Sequence, residues 1–146
     1  MSSKLKDSYS VLLADDSDKD RLLIRHALLK HPRLVIVGEV TDGVQVIDYL
    51  RATGEFKNRK KHPFPDLLIL DLKMPLKSGY EVLEWLRVQS FADLVVAVVS
   101  GSVLPEDLKL SLELGADAFF VKAAERRARE AMVSKLEVLL DLSRRK

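Results

Sequence analysis

Leu67-Leu68-Ile69-Leu70-Asp71 sets four apolar residues in front of a single acid. So short an apolar run, with no polar alternation, suits a strand covered on both faces. The pattern recurs outward in both directions. Upstream, Val11-Leu12-Leu13-Ala14 also ends in acid, at Asp15-Asp16, and Leu34-Val35-Ile36-Val37 is a further run. Downstream lie Leu94-Val95-Val96-Ala97-Val98-Val99 and Ala118-Phe119-Phe120-Val121.

Helical spacing fills the intervals. Leu23, Ala27 and Leu28 share one face of residues 19–30, and Ser17 with Asp20 three positions on resembles an N-cap signal. Val46, Ile47 and Leu50 mark a helix from about Gly43; Val82, Leu83 and Leu86 mark another after Ser78-Gly79. Pro105 opens a fourth, which stops at Gly115. Met132, Leu136, Leu139 and Leu140 mark a last helix after Lys122. Strand and helix thus alternate five times. That predicts an α/β fold, (βα)5, with a doubly wound parallel five-stranded sheet.

Length and composition agree with one domain over residues 1–146, with a core at about 9–142 and no output domain. A chain 47% hydrophobic and 32% charged can build a real core. No segment is apolar enough to span a bilayer, and no signal stretch follows Met1-Ser2-Ser3-Lys4-Leu5-Lys6-Asp7. There is no cysteine, which excludes thiolate metal sites and cysteine catalysis and suits a cytoplasmic location. The net charge of +2 gives no general argument for nucleic-acid or membrane binding, and neither partner is expected. Arg126-Arg127-Ala128-Arg129 and Arg144-Arg145-Lys146 read as solvated helix faces. His26, His31 and His62 form no metal spacing and read as surface residues, and Tyr80 and Trp85 read as packing. Residues 54–65, with Lys57-Asn58-Arg59-Lys60-Lys61-His62, read as a long solvated basic loop, with partner docking as the alternative.

In open parallel sheets, sites form beyond the carboxyl ends of the strands. Those ends here carry Asp15-Asp16, Asp71, Ser100 and Lys122. In the flavodoxin-like strand order 2-1-3-4-5, the strands carrying all four meet at one crevice. Crowded carboxylates repel, and a bound cation relieves them; oxygen donors suit Mg²⁺. With Lys122 as a fixed cation and Ser100 as a hydroxyl donor, the set fits phosphoryl transfer to a carboxylate. Taken singly, each residue has a plainer explanation. An Asp pair after a strand often caps a helix, and a serine or lysine there is often a turn or surface residue. The joint placement is what favours chemistry.

Four segments carry a family resemblance. Val11-Leu12-Leu13-Ala14-Asp15-Asp16-Ser17 resembles the acidic-pair motif of response regulator receiver domains. Asp71-Leu72-Lys73-Met74-Pro75-Leu76-Lys77-Ser78-Gly79 resembles their phosphoacceptor loop, Val98-Val99-Ser100-Gly101 their hydroxyl position, and Gly115-Ala116-Asp117-Ala118-Phe119-Phe120-Val121-Lys122 their lysine motif. The resemblance is to a single-domain receiver of the chemotaxis-regulator type. It implies that Asp71 accepts a phosphoryl group from a sensor histidine kinase or a histidine phosphotransfer protein. It implies Mg²⁺ on Asp16, Asp71 and the backbone carbonyl of Lys73, with Asp15 acting through water. Ser100 and Lys122 would contact the phosphoryl group, and Ser100 and Phe119 would form the switch. The output would be a downstream protein contact, or a homodimer through the fourth helix, fifth strand and fifth helix. Catalysis would extend only to self-phosphorylation and autodephosphorylation.

Three positions depart from the pattern. Lys73, two residues past Asp71, adds a charge near the acceptor. Ala123 stands where the family usually has proline, so the Lys122–Ala123 bond is expected to be trans. Phe119 lacks the hydroxyl of the commoner tyrosine. The basic loop weakly resembles that of receivers partnering phytochrome-like sensor kinases. Three other readings compete. A haloacid dehalogenase-type phosphatase wants an acid two residues after its nucleophile, where Lys73 stands. A flavodoxin would not place Asp15-Asp16 in a phosphate cradle. A scaffolding pseudo-receiver would not need the full acid, hydroxyl and lysine set.

Overall fold

The structure, a computed structural model, describes residues 7–144. The N-terminal readings from Met1 to Lys6 and those on Arg145 and Lys146 lie outside the described residues. The element order is β1 (Tyr9–Ala14), α1 (Asp18–Leu29), β2 (Leu34–Val40), α2 (Gly43–Arg51), β3 (Leu67–Leu70), α3 (Gly79–Leu86), β4 (Val95–Ser100), α4 (Pro105–Glu113), β5 (Ala118–Val121) and α5 (Arg126–Ser143), with a short 3₁₀ turn at Gly54–Phe56. All strands pair in parallel, in the order β2-β1-β3-β4-β5, as expected from the sequence.

The sheet is covered on both faces. Val11, Leu13, Ile69, Ala97 and Val99 face α1 and α5, where they meet Ile24, Leu28, Met132, Leu136 and Leu140. Leu12, Ala14, Leu68, Leu70, Val96 and Val98 face Val46, Leu50, Val82 and Leu83 of α2 and α3. This two-sided burial is why the central strands read as unbroken apolar runs. The outer strands depart from that reading. Val35 in β2 and Val121 in β5 are exposed, and each lies on an edge strand of the sheet. β2 also runs on through Gly38 and Glu39, with a pairing irregularity opposite Val11/Leu12.

Several surface readings are corrected by long-range contacts. Arg144 is not a solvated residue: its guanidinium pairs with buried Asp66 at the start of β3. Arg129 is half-buried and donates to the carbonyls of Ala123 and Ala124 at 3.1 and 2.8 Å. His31 pairs with Glu137 at 3.2 Å, and the His62 ring stands against Tyr49 and Phe56. The basic loop is likewise only partly solvated. Lys57, Lys60 and Lys61 are exposed, but Arg59 folds back to the carbonyls of Tyr49 and Leu50 at 2.8 and 2.7 Å, closing the C-terminus of α2. Fixed carbonyls and aromatic walls are tertiary partners that hydropathy does not register. Among the described residues no helix is long and apolar enough to cross a membrane.

Candidate functional site

Four of the five strands deliver residues to the same edge of the sheet. β1 ends at Ala14, so Asp15 and Asp16 stand just beyond it. β3 ends at Leu70 and presents Asp71; β4 ends in Ser100; β5 ends at Val121 and presents Lys122. Backbone hydrogen bonds hold these ends in register. The Asp71 N–H donates to Ala14 O at 3.0 Å, and the Lys122 N–H to Ser100 O at 2.7 Å.

The carboxylates of Asp15, Asp16 and Asp71 offer oxygens within 4.8 Å of one another. Asp15 and Asp71 are buried and Asp16 is exposed. The Lys122 ammonium sits among the buried acids, 2.8 Å from Asp15 Oδ2 and 3.4 Å from Asp71 Oδ2. Burial first, and the charge of Asp15 second, push the Asp71 carboxyl up to about 6, against the opposing pull of Lys122 and the Lys73 backbone N–H. Lys122 is held well above the usual lysine range, because its bonds to Asp15 and Asp20 and the charge of Asp71 outweigh the larger single effect of desolvation. Three carboxylates, those of Asp15, Asp20 and Asp71, meet one ammonium, and Asp16 adds a fourth beside Asp15 and Asp71. The surplus of negative charge, all of it on oxygen, suits a hard divalent cation.

Two glycines shape the acceptor loop. A Cβ on Gly79 would lie 2.4 Å from the backbone oxygen of Asp71 and 2.7 Å from Leu72 Cα. A Cβ on Gly43 would lie 2.1 Å from the backbone oxygen of Lys77. The first residues of α3 and α2 therefore press directly on the chain that carries Asp71. Leu76, at the exposed tip of this loop, adopts a left-handed φ of 66°.

Ser100 is buried, and its hydroxyl oxygen accepts the Ser102 N–H at 3.1 Å. The Ser102 hydroxyl in turn donates to Asp107 in the first turn of α4. Asp107 also accepts the Tyr80 hydroxyl from α3. Tyr80 therefore does more than pack, as the sequence reading had it. Phe119 is half-buried against the α2–α3 side of the core. No cis peptide bond occurs among the described residues, so Lys122–Ala123 is trans, as expected from Ala123.

The sequence reading missed the role of Asp20. It treated Asp20 as part of the α1 cap. Its backbone N–H does donate to Ser17 Oγ at 3.1 Å, but its carboxylate leaves the cap and meets Lys122 Nζ at 2.8 Å. No local pattern signals a contact across that many residues.

The response regulator receiver domain family matches residues 11–134. This chain belongs to that family. The receiver is 33% identical to the nitrate/nitrite response regulator protein NarL of Escherichia coli over 116 residues, which is 80% of this chain and 49% of that protein. It therefore spans about half the length of that relative. It is 28% identical to response regulator Rcp1 of Synechocystis over 132 residues, covering 87% of this chain and 85% of Rcp1. Among solved structures, the phosphorylated cyanobacterial phytochrome response regulator RcpA superposes with a TM-score of 0.79 at 30% identity, over 91% of this chain and 94% of that one. The Mn²⁺-bound form of Rcp1 gives 0.76 at 27% identity, with the same coverage. The receiver is a signalling module of two-component type, and the phosphatase and scaffolding pseudo-receiver readings are not favoured.

Proposed function

We propose that Asp71 is the phosphoacceptor, charged by a histidine kinase or a histidine phosphotransfer protein in the cytoplasm, and that Mg²⁺ supports the reaction. The observation that carries this reading is the buried Asp71 carboxylate held between acids and a single ammonium at the carboxyl edge of the sheet. Asp16, Asp71 and the Lys73 carbonyl would hold the cation, with Asp15 acting through water. The cation supplies charge neutralisation for the phosphoryl oxygens. Asp16 suits direct ligation because it is exposed and no hydrogen bond or ion pair engages its carboxylate among the described residues. Asp15 is already committed to Lys122 and to the Ser17 N–H at 2.9 Å.

Acetyl phosphate with Mg²⁺ is expected to add one hydroxylamine-labile phosphoryl group, detected by intact mass. Equal incorporation in excess chelator would overturn the metal requirement. Calorimetric titration should show Asp16→Ala losing more Mg²⁺ affinity than Asp15→Ala. Binding in both should weaken as pH falls through 6, where Asp71 takes up its proton. An Asp16→Ala protein that binds like wild type would remove Asp16 from the ligand set.

The hydrogen-bond chain from Ser100 supports a route outward. A phosphoryl group adds nearly two negative charges and strong acceptor oxygens beside Ser100. The hydroxyl turns toward it and gives up the Ser102 N–H, so the loop leading to α4 shifts. Phe119 gains burial in the space vacated and has no phenolic hydrogen bond to lose. The responding surface is α4–β5–α5, which would meet a downstream protein or a second copy. Beryllofluoride with Mg²⁺ should therefore change amide hydrogen exchange on that surface in wild type, and much less in Ser100→Ala and Phe119→Ala. Equal responses in all three proteins would break the proposed coupling.

A further inference from the structure

We infer that Asp20 is a positioning residue for Lys122, fixing the direction in which that ammonium meets the group arriving at Asp71. The inference rests on the phosphoacceptor reading above. The two N-caps of similar sequence behave differently. In α3, Ser78 and Glu81 form a full capping box: the Glu81 N–H donates to Ser78 Oγ, and the Ser78 N–H to Glu81 Oε1 at 3.0 Å. In α1, Ser17 and Asp20 form half of one. The Ser17 N–H is taken by Asp15 Oδ1 at 2.9 Å, so it is not held by the Asp20 carboxylate. It crosses to Lys122 Nζ at 2.8 Å.

An ammonium has three N–H donors. Asp15 Oδ2 and Asp20 Oδ2 stand at 2.8 Å from Nζ, and Asp71 Oδ2 at 3.4 Å. Two short contacts on fixed elements orient the third N–H toward the acceptor. The stem of Lys122 is held as well. It borders a small cavity with Leu23, Ile24, Val99 and Met132, and the loop after it is tied down by Arg129. Asp15 belongs to the acid pair expected to serve a cation. Asp20 does not, so its hold on Lys122 persists when a cation engages the pair. In the transfer step, an Asp71 carboxylate oxygen bonds to phosphorus as the donor's bond to phosphorus breaks, P–N in a phosphohistidine and the bridging P–O in acetyl phosphate. With acetyl phosphate, acetate leaves with the bonding pair and no proton moves. Lys122 meets a phosphoryl oxygen during that exchange, and misdirection of its N–H slows the step.

The test is a double-mutant cycle on the rate of phosphorylation by acetyl phosphate at saturating Mg²⁺. Asp20→Ala is expected to lower the rate about tenfold, within the range that misplacing a catalytic group costs. Asp20→Asn, which keeps an acceptor oxygen in place, should recover much of the loss. In a Lys122→Ala background, Asp20→Ala should change nothing further. Wild-type rate in Asp20→Ala, or an equal loss with and without Lys122, would overturn the inference. The restraint is also read without phosphorylation, from the Lys122 ammonium resonance in metal-free protein. Asp20→Ala should shift it and speed its proton exchange; an unchanged resonance counts against the inference. Wild type that takes up no phosphoryl group would overturn the phosphoacceptor reading instead.

Discussion

Asp71→Asn is expected to abolish phosphoryl uptake from acetyl phosphate and, at the same time, to make the metal-free protein more stable at neutral pH. The first effect follows from loss of the nucleophilic carboxylate. The second follows from the cost of keeping that carboxylate ionised. Asp71 is buried, lies beside Asp15, and titrates at about 6 in the fold. In the unfolded chain an aspartate titrates at about 3.9. The folded state therefore holds the proton more tightly, and this group's contribution to stability falls as pH rises from about 4 to 6. Above 6 the whole penalty is present. The difference between these two titration points sets an upper bound of about 3 kcal/mol, and relaxation around the site reduces this to on the order of 2 kcal/mol. The asparagine carries no such penalty, and Lys122 keeps Asp15 and Asp20 as partners. Tm should rise by about 6 °C at pH 7.5, on a scale of roughly 3 °C per kcal/mol for this chain length. The gain should shrink toward zero near pH 4, where the wild-type carboxyl is protonated. An Asp71→Asn protein no more stable than wild type at pH 7.5 would show that Lys122 fully compensates the buried charge. Residual hydroxylamine-labile phosphate on the variant would place the acceptor elsewhere.

Gly79→Ala should have the opposite effect on stability and also impair the site. Two forces compete. Alanine is the better helix former, by up to about 1 kcal/mol in a helix interior. Against that, its Cβ would meet the Asp71 carbonyl oxygen at 2.4 Å and Leu72 Cα at 2.7 Å. Both are backbone atoms, so no side-chain tip can swing away. Relief requires α3 to lift off the end of β3, stretching the Gly79 N–H to Leu72 O bond of 2.9 Å. Overpacking of this kind costs about 1–3 kcal/mol, and the helix gain is smaller at the first position than in the interior. Tm should fall by about 3–9 °C, and phosphorylation should slow because Asp71 moves with its backbone. A rise in Tm would mean that propensity wins and that the close approach is not real.

The fold was largely legible in the sequence because a doubly covered parallel sheet writes itself as short apolar runs. Leu67-Leu68-Ile69-Leu70 could only be buried on both sides, and it is. Pro105 and Gly115 bounded α4 as read: proline fixes φ at the first turn, and Gly115 takes a φ of 104° that other residues rarely adopt. The edge strands were less legible. Val35 and Val121 look like core residues to any local reading, and only the strand order leaves them uncovered.

The candidate site was legible for the same reason of position. Asp15, Asp16, Asp71, Ser100 and Lys122 each follow an apolar run, and the parallel order brings such ends together. By itself, then, the sequence determined the alternation of elements, the strand ends and which chemical groups they carry. Tertiary structure alone decided what those groups touch. Asp20 turns from its cap to Lys122 because Asp15 already satisfies the Ser17 N–H. Tyr80 and Ser102 converge on Asp107, and Arg144 reaches Asp66. Backbone conformation is set within a few residues, by sterics and burial that the local pattern records. A side chain's partner is set by which distant element is packed beside it, and short stretches of sequence carry no record of that.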